Sequence, residues 1–432
     1  MSRVLSALQV MRAALRTKTG RHTQMVFGGQ IVSAAFGFGT NVLLLRCLSI
    51  DEYGLFSLFL STLMMLAGFM HMGWIETFVR FGAKTFGTPE FAAIRNLLLK
   101  RTLVSSAIVG AMAMGAASLV SERFYHRPEF VPYFYAAAIG GLLNSCFTFF
   151  QNEYRARQDF NRYLVTQVGS NATRLACVAL ATVLGVLGLT QTVGIYLGVT
   201  FTFIILCAVH LRDRRGHAPL VSLEPSLLKE MTSYNGWLLL SFFTTNAVGN
   251  IDAHLLAHFH ANNTLSSYSA AARLTLPLQF VAMSLQTTLL PRLSASKDPR
   301  DVVFYLDRLK LFFIPFVALT ALATWLAPPI LIWIAGPHYA NITSLLRLQI
   351  LTYAVMLVVN PIGIVTYAWG WTRMLAFMNL GQLVLDVVLD LLWIPRWGAM
   401  GAVAATLAVN VLGFVVIYPA LWWGLKQRKS VT

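Results

Sequence analysis

The stretch VGIYLGVTFTFIILCAVHLRDRR, Val193 to Arg215, decides the fold class. From Val193 to Leu211 it holds no Lys, Arg, Asp or Glu, and then Arg212, Arg214 and Arg215 arrive together. A helix of about 20 apolar residues matches the hydrocarbon thickness of a bilayer. Basic residues at its end are what keep that end on the cytoplasmic face. The rest of the 432-residue chain repeats the pattern. Only 12% of residues are charged and 57% are apolar, with a mean hydropathy of +0.64. A soluble domain is nearer a quarter charged, so this composition cannot cover a water-facing surface.

Walking outward from that stretch, apolar spans fall near 24–46, 54–77, 100–120, 132–153, 163–185, 191–211, 233–258, 265–290, 311–334, 344–368, 373–394 and 399–425. The expected fold is an all-α integral membrane protein of about twelve transmembrane helices. Gly28, Gly37, Pro277, Pro315 and Pro361 fall inside spans, which membrane helices tolerate.

Placement of the 33 Lys and Arg residues gives the orientation. With the N-terminus in the cytoplasm, nearly all of them fall on the inner side, from Arg3 and Arg12 through Arg95, Lys100 and Arg155 to Lys426 and Arg428. The outer side holds only Arg46, Arg123, Arg127 and Arg396, while Arg174, Arg273 and Arg347 lie within spans. The positive-inside rule then puts both termini in the cytoplasm. The same distribution argues against nucleic-acid binding despite a formal charge of +16, because the cations form short clusters between spans and not one solvated face.

The basic linker between the sixth and seventh spans divides them six and six. The expected organisation is a basic cytoplasmic segment (1–23), a first six-helix bundle (24–211), a cytoplasmic linker (212–232), a second six-helix bundle (233–425) and a cytoplasmic tail (426–432). The acid-free segment Met1 to Arg21 reads as an amphipathic anchor in preference to an organellar presequence. Weak echoes link the halves: a short outer loop and a Tyr before small residues (Arg46 to Gly54, His258 to Ser269), and aromatic-x-Arg entries at Phe160 to Arg162 and Trp371 to Arg373. Repeated helical bundles are a common architecture of alternating-access transporters.

Several motifs resemble one family. GGQIVSAAFGFGTNVLLLRCLSIDEYGLF (Gly28 to Phe56) is similar to the first helix and R-x-L-x-x-x-E-Y-G turn of polysaccharide flippases, the Wzx-like branch of the multidrug/oligosaccharidyl-lipid/polysaccharide (MOP) exporter superfamily. MGWIETFVRFGAK (Met72 to Lys84) resembles the end of its second helix. GNIDAHLLAHF, YSAAARL and LLPRLSA (within Gly249 to Ala295) resemble its seventh and eighth helices. AGPHYANITSLLRLQIL, NPIGIVTYAWG and IPRWGAMGAVAAT follow in the expected order, so the resemblance covers nearly the whole chain. It implies translocation of an undecaprenyl-pyrophosphate-linked oligosaccharide across the bacterial cytoplasmic membrane for surface polysaccharide (O-antigen, capsule or exopolysaccharide) by alternating access. The implied partners are that lipid-linked substrate, the bilayer and polysaccharide assembly proteins. No cofactor is expected, nor enzymatic activity.

Ionisable groups inside a bilayer are costly and normally face a cavity or a partner. Arg174 and Arg273 are candidate pyrophosphate ligands, because a guanidinium fork matches phosphate oxygens. Arg273 also falls in the family's Y-x-A-x-R-L pattern. The competing reading pairs these arginines structurally with Asp252, Asp386 or Asp390. Arg347 matches the family's G-P-x-Y…L-R pattern but lies near a helix end, where snorkelling explains it equally well. Asp252 is the candidate coupling group, alternating between proton-loaded and Arg-paired states. Asp386, Asp390 and Asn41 are candidate cavity-lining groups.

No metal site is expected. His254 and His258 have an i, i+4 spacing but no third ligand fixed by sequence, and the four Cys residues form no C-x-x-C. Gln382, Asp386 and Asp390 superficially resemble the diphosphate motif of intramembrane prenyltransferases, but the second such motif is missing. Two other functions stay open: a MATE-like cation exporter, which would want an excess of intramembrane acids, and a membrane enzyme of glycan assembly, for which the outer loops are short. The chain has no G-x-x-x-x-G-K-[ST] loop, so ATP does not drive it directly.

Overall fold

A computed structural model describes residues 18–212, 223–279, 316–368 and 372–429. The expected anchor before residue 18, most of the basic linker, the LLPRLSA motif, Trp371 and the last three residues lie outside the described residues. Helices run over Lys18–Cys47 (α1), Ile50–His71 (α2), Trp74–Thr85 (α3), Pro89–Ser118 (α4), Val131–Ala156 (α5), Phe160–Val183 (α6) and Leu189–Arg212 (α7). They continue as Pro225–Val248 (α8), Ile251–Phe259 (α9), Asn262–Leu274 (α10), Phe316–Trp325 (α11), Ala327–Ala335 (α12), Thr343–Ala368 (α13), Thr372–Trp397 (α14) and Ala399–Lys429 (α15). Among the described residues there is no strand. Seven helices among the described residues are long and apolar enough to cross a membrane, and eight if α11 and α12 count as one bent span. Large apolar side chains stay uncovered along them, including Met112, Leu206, Trp325 and Phe377, as expected of surfaces that face acyl chains.

Three expected spans are broken. The second ends at His71, because Met72 and Gly73 adopt positive φ (45° and 75°). The Met72 carbonyl freed there accepts from Asn235 Nδ2 at 3.1 Å, while the Gly73 carbonyl opens α3 by accepting from Thr77 N and Thr77 Oγ1, each at 3.1 Å. A break inside a membrane helix survives only if such groups find donors. Beyond it α3 is amphipathic, burying Ile75, Phe78, Phe81 and Gly82 on one helical face. The seventh span breaks at Gly249 and Asn250, between α8 and α9. The ninth bends by 65° between α11 and α12, just before Pro328 and Pro329.

The chain forms two compact units. The first draws on Met1–Leu43, Met70–Ile108 and Leu142–Gly236, the second on Leu44–Phe69, Val109–Gly141 and Trp237–Thr432. The first unit stops at Gly236, while the second joins two segments of the first half to the chain from Trp237 on, and the six-plus-six division stays a proposal. In the first unit the core is aromatic: Phe78 stacks on Phe149 at 4.9 Å, among Phe81, Phe91, Phe147 and Phe150. A buried ion network lies beside it. Glu153, 0% exposed, accepts from Arg95 Nε at 2.8 Å and from Arg157 Nη2 at 2.5 Å.

Candidate functional site

The break at Gly249 and Asn250 sets up the main site of the second unit. It starts a new helix one residue before Asp252, placing that carboxylate in the first turn of α9, where the helix dipole favours negative charge. Asp252 Oδ2 accepts from Tyr268 Oη on α10 at 2.7 Å and from Thr406 Oγ1 on α15 at 3.2 Å. Asp386 and Asp390, one turn apart on α14, complete the group. One carboxylate oxygen from each of the three acids lies within 4.8 Å of the others.

All three acids are buried, with exposures of 5%, 1% and 0% for Asp252, Asp386 and Asp390. Among the described residues no hydroxyl, amide or cationic donor reaches Asp252 Oδ1 or the four oxygens of Asp386 and Asp390, while Asp252 and Asp390 stand close enough to share a proton. No ion pair to Lys, Arg or His reaches them among those residues. Two ionised carboxylates at this separation repel by about 3–4 kcal/mol at an effective dielectric near 20. Three bare charges are therefore untenable in this place. The cluster must hold protons, a cation, or both. Three oxygens held about 2.3–2.6 Å from one hard cation such as Ca²⁺, at roughly 90–120° to one another, stand about 3.3–4.5 Å apart, so separations within 4.8 Å also fit a single ion.

The other candidates fall elsewhere. Arg174, on α6 in the first unit, bonds Asn171 Oδ1 at 3.0 Å and lies over the Tyr196 ring at 4.4 Å. Asn171 Nδ2 in turn bonds Ser33 Oγ on α1 at 2.7 Å. Arg174 Nε is buried with no hydrogen-bond partner among the described residues. Asn41, also on α1, donates to the Gly37 carbonyl at 2.8 Å and leaves its buried Oδ1 unpartnered among those residues. In the second unit, Arg273 is half-buried near the end of α10, close enough to Tyr353 to interact electrostatically. Arg347 is exposed and donates Nε to the Thr324 carbonyl at 3.2 Å, beside the bend between α11 and α12.

His254 and His258 are both engaged with the segment after α4. Tyr125 Oη meets His254 Nδ1 at 2.7 Å, and His258 Nδ1 meets the Phe124 carbonyl at 2.5 Å. Arg127 Nη2 donates to the His260 carbonyl at 2.5 Å, and Arg46 donates to the carbonyls of Trp333 and Ile334.

The profile of the family described as "Polysaccharide biosynthesis protein" matches residues 20–297. The chain belongs to that family. A MatE profile matches residues 238–392 as well, placing the chain in the MOP exporter superfamily. The lipid III flippase of Escherichia coli (strain K12) is 23% identical over 217 residues, 49% of this chain and 52% of that protein. The match thus spans about half the length of the curated relative. Among solved structures, the lipid II flippase MurJ in an inward closed conformation aligns with a TM-score of 0.74 and 15% identity, over 92% of this chain and 87% of MurJ. An inward-facing multidrug resistance MATE family transporter of the MOP superfamily aligns at 0.70 and 15% identity, over 91% and 95%. At such identities the likeness shows the fold: an all-α membrane fold shared with transporters of this superfamily.

Sequence reasoning named all three acids but not their convergence. It assigned no role to Tyr268 or Thr406, although both sit in quoted motifs, YSAAARL and IPRWGAMGAVAAT. Tyr196, the platform under Arg174, was missed entirely. A tyrosine in the otherwise apolar run of α7 was the available signal.

Proposed function

We propose that this protein is a flippase that moves a lipid-linked oligosaccharide across the bacterial cytoplasmic membrane by alternating access, with both termini in the cytoplasm. Arg174 carries the reading. It is a guanidinium within a span, fixed by Asn171 and Tyr196, with Nε left for an anionic ligand. A pyrophosphate headgroup supplies the oxygens that such a fork accepts. Arg273 is the second candidate cation, while the hold of Arg347 on the Thr324 carbonyl supports a structural role for it. The prenyl chain stays in lipid while the glycan crosses.

Asp252, Asp386 and Asp390 form the coupling site in this proposal. A proton or a hard cation such as sodium loads the cluster, cancels its repulsion and biases one conformation over the other. Asn41 lines the path of the substrate. The partners are the lipid-linked oligosaccharide, the bilayer and proteins of polysaccharide assembly.

The MatE match and the acid cluster favour one other reading, a cation-coupled exporter of small molecules. Complementation of a flippase-null bacterium separates the two. Rescue by the wild type, lost with Arg174→Ala, supports the flippase. A wild type that fails to rescue, yet confers drug resistance abolished by Asp252→Asn, assigns the exporter.

A further inference from the structure

A cavity with both polar and apolar lining lies in the second unit and shares no lining residue with the acid cluster. Its volume is about 580 Å³, within the range of small-molecule sites. His338, Asn341, Ser344, Asn263, Arg396 and Trp397 are among its lining residues, and no lining residue is acidic. On the proposed topology the joins between α9 and α10, α12 and α13, and α14 and α15 all face the outer compartment, so the cavity opens there.

Arg396 singles this cavity out. The positive-inside rule depletes arginine on the outer face, and a retained one calls for a reason. Of the other three outer arginines, Arg46 and Arg127 donate to backbone carbonyls, and Arg123 is exposed but lies outside this cavity. Arg396 is exposed and forms no ion pair among the described residues, and it lines the cavity. Beside it Trp397 is 57% exposed, an indole that forms the apolar part of the lining together with Ile342 and Met400. Asparagine amides and serine hydroxyls surround both. The first turns of α10, α13 and α15 also line the cavity, and none contains an acidic side chain, so their backbone dipoles add to the positive field.

Such a set suits a ligand with a negative charge, several hydroxyls and one apolar face. Arginine pairs with a carboxylate, amides and hydroxyls meet the ring hydroxyls, and the C–H face of a pyranose packs on indole. We propose that this outer cavity binds an acidic saccharide unit, a sugar carrying a carboxylate, and that it receives the glycan after translocation. The second clause rests on the flippase reading; the first does not.

The test uses the full-length protein in lipid nanodiscs, with glucuronate, glucose and inorganic phosphate as probes, read by intrinsic tryptophan fluorescence and saturation-transfer NMR. Glucuronate should bind roughly tenfold more tightly than glucose. Arg396→Gln should erase that difference, and Trp397→Ala should weaken both sugars. Both positions are exposed, and unchanged thermal melting of each variant confirms an intact fold. Equal binding of glucose and glucuronate, no saturable binding of either, or no effect of Arg396→Gln overturns the assignment. Phosphate competing as well as glucuronate, with glucose inert, leaves a plain anion site and overturns the sugar. A uronate-containing lipid-linked oligosaccharide should displace free glucuronate. Failure to do so overturns the link to translocation, while a wild type that binds glucuronate but fails complementation sinks the flippase reading alone.

Discussion

Tyr268 Oη donates to Asp252 Oδ2 at 2.7 Å, tying the first turn of α9 to α10 across the loop that joins them. That bond uses one oxygen of Asp252 and leaves Oδ1 facing two acids that no hydroxyl, amide or cationic donor reaches among the described residues. The arrangement holds the carboxylate in place without neutralising it, as the proposed loading and release of a positive charge requires.

Asp390→Asn should separate stability from coupling. Replacing one acid by a neutral amide lowers the number of protons or cations the buried cluster has to hold, so the variant is expected to melt at or above the wild-type temperature. It should nevertheless lose complementation. The loading ion is identified in the same melts. An ion that binds the native cluster raises Tm with concentration, by about 2.7 kcal/mol of stability at 100 times its Kd. Sodium should raise the Tm of the wild type and leave Asp390→Asn unmoved. A sodium-insensitive wild type whose Tm depends on pH would assign protons.

Arg174→Lys tests whether the fork matters beyond its charge. Lysine keeps the charge but loses the planar donor set and the stacking on Tyr196. Surface polysaccharide should fall at least roughly tenfold with Arg174→Ala, a loss of about 1.4 kcal/mol or more, and by less with Arg174→Lys. Equal output from wild type and both variants would remove Arg174 from the substrate path.

Glu153 should be the costliest single change in the first unit. Glu153→Ala leaves Arg95 and Arg157 without their shared carboxylate, and a broken buried pair of this kind costs about 3–5 kcal/mol. Purified yield and Tm should both drop sharply. The triple variant Glu153→Leu with Arg95→Met and Arg157→Met should recover much of the loss, because no charge is then left stranded.

Gly54 provides a test of conformation independent of substrate. A Cβ placed there collides with the backbone carbonyl oxygen of Asn262, which cannot swing aside as a side chain can. Gly54→Leu should therefore pry α2 away from the start of α10. In a cysteine-free background, Ser61→Cys, whose parent hydroxyl lies 3.3 Å from Asn250 Oδ1, should react faster with a membrane-impermeant maleimide when Gly54→Leu is present. Unchanged labelling would mean that this seam does not open.

Much of the fold was legible because a bilayer imposes a simple rule: about 20 apolar residues per crossing. Expected and observed boundaries agree within a few residues for α5, α6, α7, α13 and α14. The breaks at Met72 and at Gly249 escaped, since hydropathy averages over a window and neither break carries a charge. Gly73, and the Gly249–Asn250 pair, were the local signals. Asp386 and Asp390 were readable as an i, i+4 pair on one helix face. Their partner Asp252 was not, because it lies 134 residues before Asp386 in the chain and no periodicity connects positions on different helices.

The sequence by itself determined that this protein lives in a membrane, roughly how many times it crosses, and where its few intramembrane charges sit along each helix. Those facts follow from transfer free energies, which are properties of local segments. Only the tertiary structure decided which charges meet. Arg174 was left to Asn171 and Tyr196, Arg347 to a carbonyl at a helix bend, and three acids from two helices were gathered without a counter-charge among the described residues. Contacts of that kind depend on helix breaks and packing angles, and those are fixed by side-chain fit between segments far apart in the chain.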